Sequence, residues 1–216
     1  EQLAKIPWKR LLGYRQTWAF ASAKFLTDPI WWFYLYWLPT FLDNRFHLGL
    51  RHLGLPLIIV YNVSAVGSIG GGSVPLFLNR RGLSMDKARY GAMLLMALLV
   101  TPVYFVGSVH NEWAAVALLS LATAAHQGWS ANLFTTASDM FPREAVGAVT
   151  GIGGMAGSVG GVLFSLGVGW VLTHFHRYSI LFVVASTMYL IALLVLKLIV
   201  PRLQKIDTTQ LLAELP

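Results

Sequence analysis

Residues Thr17 to Leu42 read TWAFASAKFLTDPIWWFYLYWLPTFL. The run is long enough to cross a bilayer as a helix, for which about 20 residues are needed, yet it holds Lys24 and Asp28 inside an apolar, aromatic sequence. A charge at the centre of a membrane helix costs about 2.5–3.5 kcal/mol on insertion scales, so such groups usually face a cavity, a partner or a ligand. Their spacing of four puts both on one helix face, a turn apart. Trp31 and Leu35 continue that face, with Trp32 at its edge. Asp28-Pro29 also removes a backbone donor, which predicts a break in the helix at this depth. Two readings follow: half of a binding site, or a pair that neutralises itself while Lys24 snorkels to the near interface.

Composition sets the class. Apolar residues make up 56% of the chain and charged residues 12%, about half the charged share of a soluble domain. The sequence predicts an integral membrane protein. With no cysteine, disulfides and thiolate metal sites are excluded. No signal peptide is recognisable. A start at Glu1 rather than Met predicts a fragment.

Working outward, residues 1–16 form a basic lead-in and 201–216 a tail, both expected in the cytoplasm. Between them, 17–200 divides into six expected spans at about 17–42, 53–78, 88–109, 113–141, 145–172 and 178–200. The loop NRRGLSMDKAR after the second span carries four basic residues, and the third span reads as nearly all apolar. Six spans place both ends on one side. Twelve Lys and Arg fall on that side against three, Arg45, Arg51 and Arg177, on the other, with Lys24 left in the bilayer. The positive-inside rule therefore predicts cytoplasmic termini. The net charge of +7 is a topology signal and calls for no nucleic acid.

The spans repeat by type. The first and fourth hold polar groups, the second and fifth are rich in glycine, and the third and sixth are plainly apolar. Gly153, Gly157 and Gly161 form a four-residue ladder, a close-packing pattern of membrane helices. Two triplets in one order, entering from opposite faces, predict a 3+3 inverted repeat.

KFLTDPIWWFYLYWLP at 24–39 and HQGWSANLFTTASDMFP at 126–142 resemble the seventh and tenth helices of the major facilitator superfamily, and within it the anion:cation symporter branch of hexuronate transporters. GGGSVPLFLNRRG at 70–82 is similar to the second-half copy of its loop motif and lacks the acidic residue of the first-half copy. The resemblance implies an all-α membrane protein, the C-terminal six-helix half of a twelve-helix transporter. It also implies proton-coupled hexuronate transport across the inner membrane, with the coupling carboxylate and main anion-binding arginine in the N-terminal half. The partners so implied are an organic anion, H+, lipid and that other half.

A hexuronate site needs a cation, amides, hydroxyls and an aromatic face. Lys24 would meet the carboxylate as a point charge, and Asp28 would tune Lys24 or accept sugar hydroxyls. Gln127 and Asn132 are expected as amide ligands, with helix–helix hydrogen bonding as the alternative. Trp32 and Tyr36 are expected to stack on the sugar or to anchor an interface. His126 reads as a proton relay or a structural hydrogen bond. Asp139, four before Arg143, reads as a gate or loop salt bridge, with Arg80 and Arg81 in the other loop. GIGGMA at 151–156 fits a dinucleotide fingerprint, but no strand precedes it, and neither a cofactor nor a metal is called for. His126 and Asp139 lie about 20 Å apart on one helix, too far for joint acid–base catalysis, so an enzyme is not expected. Another organic anion, an aldonate or aromatic acid, is the alternative cargo, and a non-transporting sensor or scaffold the alternative class.

Overall fold

The computed structural model describes residues 6–206; of the lead-in and tail, residues 1–5 and 207–216 lie outside the described residues. The chain runs through α1 (Trp8–Leu11), α2 (Arg15–Phe46), α3 (Gly49–His52), α4 (Gly54–Arg80), α5 (Met85–Val100), a 3-10 segment (Thr101–Gly107), α6 (Glu112–Met140), α7 (Arg143–Phe175) and α8 (Ser179–Ile199). Among the described residues, four stretches are long and apolar enough to cross a membrane: Gly54–Arg80, Met85–Gly107, Arg143–Phe175 and Ser179–Ile199. α2 and α6 match them in length but carry more polar groups. Helices suit lipid because each satisfies its own backbone.

Packing is dominated by two pairs, α2 along α7 and α4 along α6. Glycine permits both. A Cβ at Gly67 would overlap the backbone of Ala124, and one at Gly71 the backbone of Gly128, so α4 and α6 touch main chain to main chain. On the other pair, Gly153, Gly157, Gly160 and Gly161 of α7 meet Phe20, Asp28, Phe25 and Trp32 of α2. α5 lies against α6, α8 against α2 and the 3-10 segment, and α5 also meets α8. Phe33 and Phe41 of α2 pack edge-on to Phe182 of α8, fixing that side of the bundle.

The break expected at Pro29 does not occur. α2 is one helix of 32 residues with both Pro29 and Pro39 inside it. Pro29 leaves the Phe25 carbonyl without its usual donor, and α7 closes over it: a Cβ at Gly160 would fall 2.5 Å from that oxygen, so only glycine lets the helices approach there. Pro75 similarly frees the Gly71 carbonyl, which accepts instead from Asn132 Nδ2 at 2.8 Å. Pro102 frees Leu98, whose carbonyl accepts from Thr101 Oγ1 at 2.7 Å, and beyond it the helix tightens into the 3-10 segment.

The third span is also less plain than expected. Lys87 and Arg89, assigned to a loop, belong to α5, and Arg89 is buried. Gly82, at φ +96, makes the turn before α5, a conformation that favours glycine. After α8 the chain folds back as a strap. Val200 O accepts from Tyr90 Oη, Leu203 N donates to Asp86 Oδ1 at 2.7 Å, and Ile206 N donates to Met140 O at 2.9 Å. The strap ties the end of α8 to α5 and α6.

Gly67→Ala forces a methyl into backbone and is expected to lower stability by about 1–3 kcal/mol. Gly70→Ala, with nothing within 4 Å of a Cβ, is expected to be neutral or stabilising by up to about 1 kcal/mol. Thermal unfolding of the two variants in detergent compares them directly.

Candidate functional site

Lys24 is 6% exposed, and its Nζ lies 2.7 Å from Asp28 Oδ2. The ammonium also sits 4.3 Å from the ring centre of Phe134 on α6, a cation–π contact that strengthens where water is scarce. The glycine ladder sets the depth of the pair. A side chain at Gly153 would collide with Phe20 and crowd the Lys24 stem, and one at Gly157 would overlap the Asp28 carboxylate. Asp28 keeps 18% of its side chain exposed. The two charges are thus paired with each other, but Lys24 is buried rather than snorkelled, and the acid end stays partly open.

One turn further, Trp32 lies over Gly161, where a Cβ would fall 2.7 Å from Trp32 Cδ1. Trp32 stacks on Tyr36 with centroids 5.7 Å apart and planes 8° from parallel. The two rings line a cavity of about 460 Å³ with Ser158 and Ser165 of α7 opposite. Ser158 Oγ donates to Gly154 O, whereas Ser165 has no hydrogen bond among the described residues. Lys24, Asp28, Trp32 and Tyr36 therefore form one continuous stripe along α2.

α6 divides its polar residues between two jobs. Gln127 is half-buried, makes no hydrogen bond among the described residues, and lies seven residues before Phe134 on the same helix face, the face that meets Lys24. Asn132 is different. It is fully buried, its Nδ2 donates to Gly71 O and Gly128 O, both at 2.8 Å, and its Oδ1 accepts from Arg89 Nη1 at 3.3 Å. Its amide is consumed at the α4–α6 contact, so the expected ligand is an interface residue. His126 hydrogen-bonds through Nδ1 to Tyr189 Oη of α8 and lies flat on Trp31, centroids 5.0 Å apart. Trp129 Nε1 donates to Thr27 Oγ1. These contacts join α2, α6 and α8 behind the Lys24 pair.

The expected Asp139–Arg143 pair is replaced. Asp139 Oδ2 accepts from Arg89 Nε at 2.9 Å, because Arg89 is buried beside it while Arg143 is exposed at the next helix start. Arg80 and Arg81 are exposed, and Arg81 covers the Phe77 ring at 4.4 Å. None of these residues joins the Lys24 stripe. Sequence reasoning missed Arg89, Tyr189, Phe134 and Ser165. A signal existed for Arg89, the fifth residue of a span once the loop is ended at Ser84; the others carry none.

Two closely packed helix pairs hold an ion pair at mid-span, and residues 1–165 match the Major Facilitator Superfamily. The chain belongs to that superfamily. It is an integral membrane protein. Among its relatives, the hexuronate transporter of Escherichia coli K12 is 29% identical over 202 residues, covering 93% of this chain and 46% of that protein. The probable galactarate/D-glucarate transporter GarP of the same organism is 25% identical over 92% of this chain and 45% of its own length. The chloroplastic ascorbate transporter of Arabidopsis thaliana is 29% identical over 90% of this chain and 36% of its own. The chain spans less than half the length of these relatives. Their names point to a transporter rather than an enzyme.

Lys24→Met and Asp28→Leu are each expected to destabilise by about 3–5 kcal/mol, since each strands a charge. The double variant is expected to recover most of that loss in a thermal melt. Asn132→Ala, which leaves the Gly71 carbonyl without a donor, is expected to cost about 1–3 kcal/mol in the same measurement.

Proposed function

We propose that this chain is the C-terminal six-helix half of a secondary transporter that carries hexuronates, galacturonate or glucuronate, across the inner membrane in symport with protons. The two halves would alternate access to a site between them. Both termini of this half lie in the cytoplasm, as the distribution of Lys and Arg implies.

The 3+3 inverted repeat is supported by the pattern of packing. With α2, α4 and α5 as one triplet and α6, α7 and α8 as the other, the contact of α2 with α7 corresponds to that of α6 with α4. The contact of α2 with α8 corresponds to that of α6 with α5. Exchanging the triplets preserves these contacts together with those of α2 with α6 and of α5 with α8, whereas the α4–α5 and α6–α7 contacts have no comparable counterparts.

The observation that carries the substrate reading is the stripe on α2: one cation, its partly buried carboxylate partner and a stacked aromatic pair in line. A uronate matches it in order. Its carboxylate exchanges with Asp28 for Lys24, its ring lies on Trp32 and Tyr36, and its hydroxyls reach Gln127, Ser158 and Ser165. Lys suits this exchange because its ammonium is a point charge with three rotatable donors. His126 holds helices together in this reading and is not itself a ligand. An aldarate, the cargo named for one relative, has a second carboxylate and calls for a second cation; Lys24 is the cation this groove supplies among the described residues.

Uptake of radiolabelled galacturonate and glucuronate by cells expressing the full-length protein that contains this chain tests the proposal. Saturable uptake that collapses with a proton uncoupler and falls at least about a hundredfold in Lys24→Ala at equal expression, equivalent to roughly 2.7 kcal/mol of lost interaction, supports it. Trp32→Ala is expected to raise KM with little change in expression. Uptake of neither uronate by the parent overturns the substrate, and normal uptake by Lys24→Ala overturns the site.

A further inference from the structure

A second cavity, larger than the one at Trp32 and Tyr36, lies elsewhere. It measures about 750 Å³ and opens where α2 and α7 end and α8 begins. Trp37, Asn44 and Arg45 line it from α2, and His176, Arg177 and Tyr178 from the turn between α7 and α8. Trp37 is nine residues beyond Asp28, which places it about half a turn around the helix from that carboxylate. The cavity therefore faces away from the Lys24 stripe and is a separate place in the fold.

Its charge is one-sided. No acidic side chain lines it. Only three basic residues, Arg45, Arg51 and Arg177, fall at this end of the spans, and two of the three converge on this cavity. His176 is left-handed, at φ +51, and this sharp reversal after α7 sends Arg177 back toward α2. Arg177 makes no hydrogen bond or ion pair among the described residues. Arg45 uses Nη2 on Val109 O, at 3.3 Å, and makes no other bond among them. Guanidinium forks match the geometry of phosphate and carboxylate.

The level of the cavity names the source of the oxyanion. It sits where the apolar spans end, and Trp37 and Tyr178 in its wall are the aromatic types that collect at the membrane–water boundary. The oxyanion fixed at that depth is the phosphate of a lipid. We propose that this cavity binds the phosphodiester headgroup of an anionic phospholipid, with Arg45 and Arg177 on the phosphate and the aromatic rings against the glycerol region.

A competing account is that both arginines merely offset the negative ends of α2 and α7. The two differ in lipid dependence. The full-length protein, purified in detergent and stripped of lipid, is titrated with phosphatidylglycerol or phosphatidylethanolamine, and bound lipid is counted by native mass spectrometry. Retention of phosphatidylglycerol in preference to phosphatidylethanolamine is expected. Arg177→Gln, at an exposed and unbonded residue, is expected to weaken phosphatidylglycerol binding about tenfold, the loss of one charge-assisted bond. Arg51→Gln, the same charge change outside the cavity, is expected to leave it unchanged. Equal lipid binding by the parent and Arg177→Gln, or an equal loss in Arg51→Gln, overturns the proposal. Displacement of phosphatidylglycerol by millimolar inorganic phosphate or galacturonate also overturns it, in favour of a soluble anion. Uronate uptake is not read in this experiment, so its result stands apart from the transport reading.

Discussion

The approach of α7 to α2 along an edge that carries no side chains of its own governs the rest of the bundle. Lipid offers no hydrophobic drive for one helix to join another, so association rests on close van der Waals contact and polar bonds. Gly153, Gly157 and Gly161 supply that contact at intervals of four, and α2 answers at the same interval with Phe20 and Lys24, then Asp28, then Trp32. Two rows of equal period lock in register. The register brings the charged pair and the aromatic pair to one seam, so the element that builds the helix contact also lines up the chemistry. The α4–α6 contact repeats the device with Gly67, Gly71 and Gly128.

Proline would be expected to undo such packing, and the structure answers the donors missing at Pro29, Pro75 and Pro102 in three different ways. The Phe25 carbonyl is covered by a glycine of α7, the Gly71 carbonyl takes an amide from α6, and the Leu98 carbonyl takes a hydroxyl from its own helix. In a bilayer an unsatisfied carbonyl costs several kcal/mol. Asn132 therefore acts as a replacement for a backbone N–H, which explains why a polar residue sits at zero exposure in an apolar bundle.

Much of this was legible in the sequence where the relation is local. The Lys24–Asp28 pair and the glycine ladder follow from helical spacing alone. The sorting of spans by type anticipated the polar character of α2 and α6 but not the buried Arg89 of α5. What could not be read is long-range. Arg89 and Asp139 are fifty residues apart, and His126 and Tyr189 sixty-three, and no spacing rule links them. Asp139 was given to Arg143 because proximity in sequence was the only guide. Asn132 looked like a ligand because an amide suits a sugar and a helix interface equally well, and only the position of Pro75 opposite it decides. Pro29 looked like a break because the covering helix lies 131 residues further on.

The ladder divides the seam into a fixed half and a free half. Any residue larger than glycine at 153, 157 or 161 would strike α2, so α7 has almost no substitutions available along that edge. The facing positions of α2 are under no such restriction at their tips: Trp32 and Tyr36 end in an open cavity. A lineage built on this bundle can thus change what it recognises by redrawing one helix while its neighbour stays constant, in the way a lock can be rekeyed without recutting the cylinder.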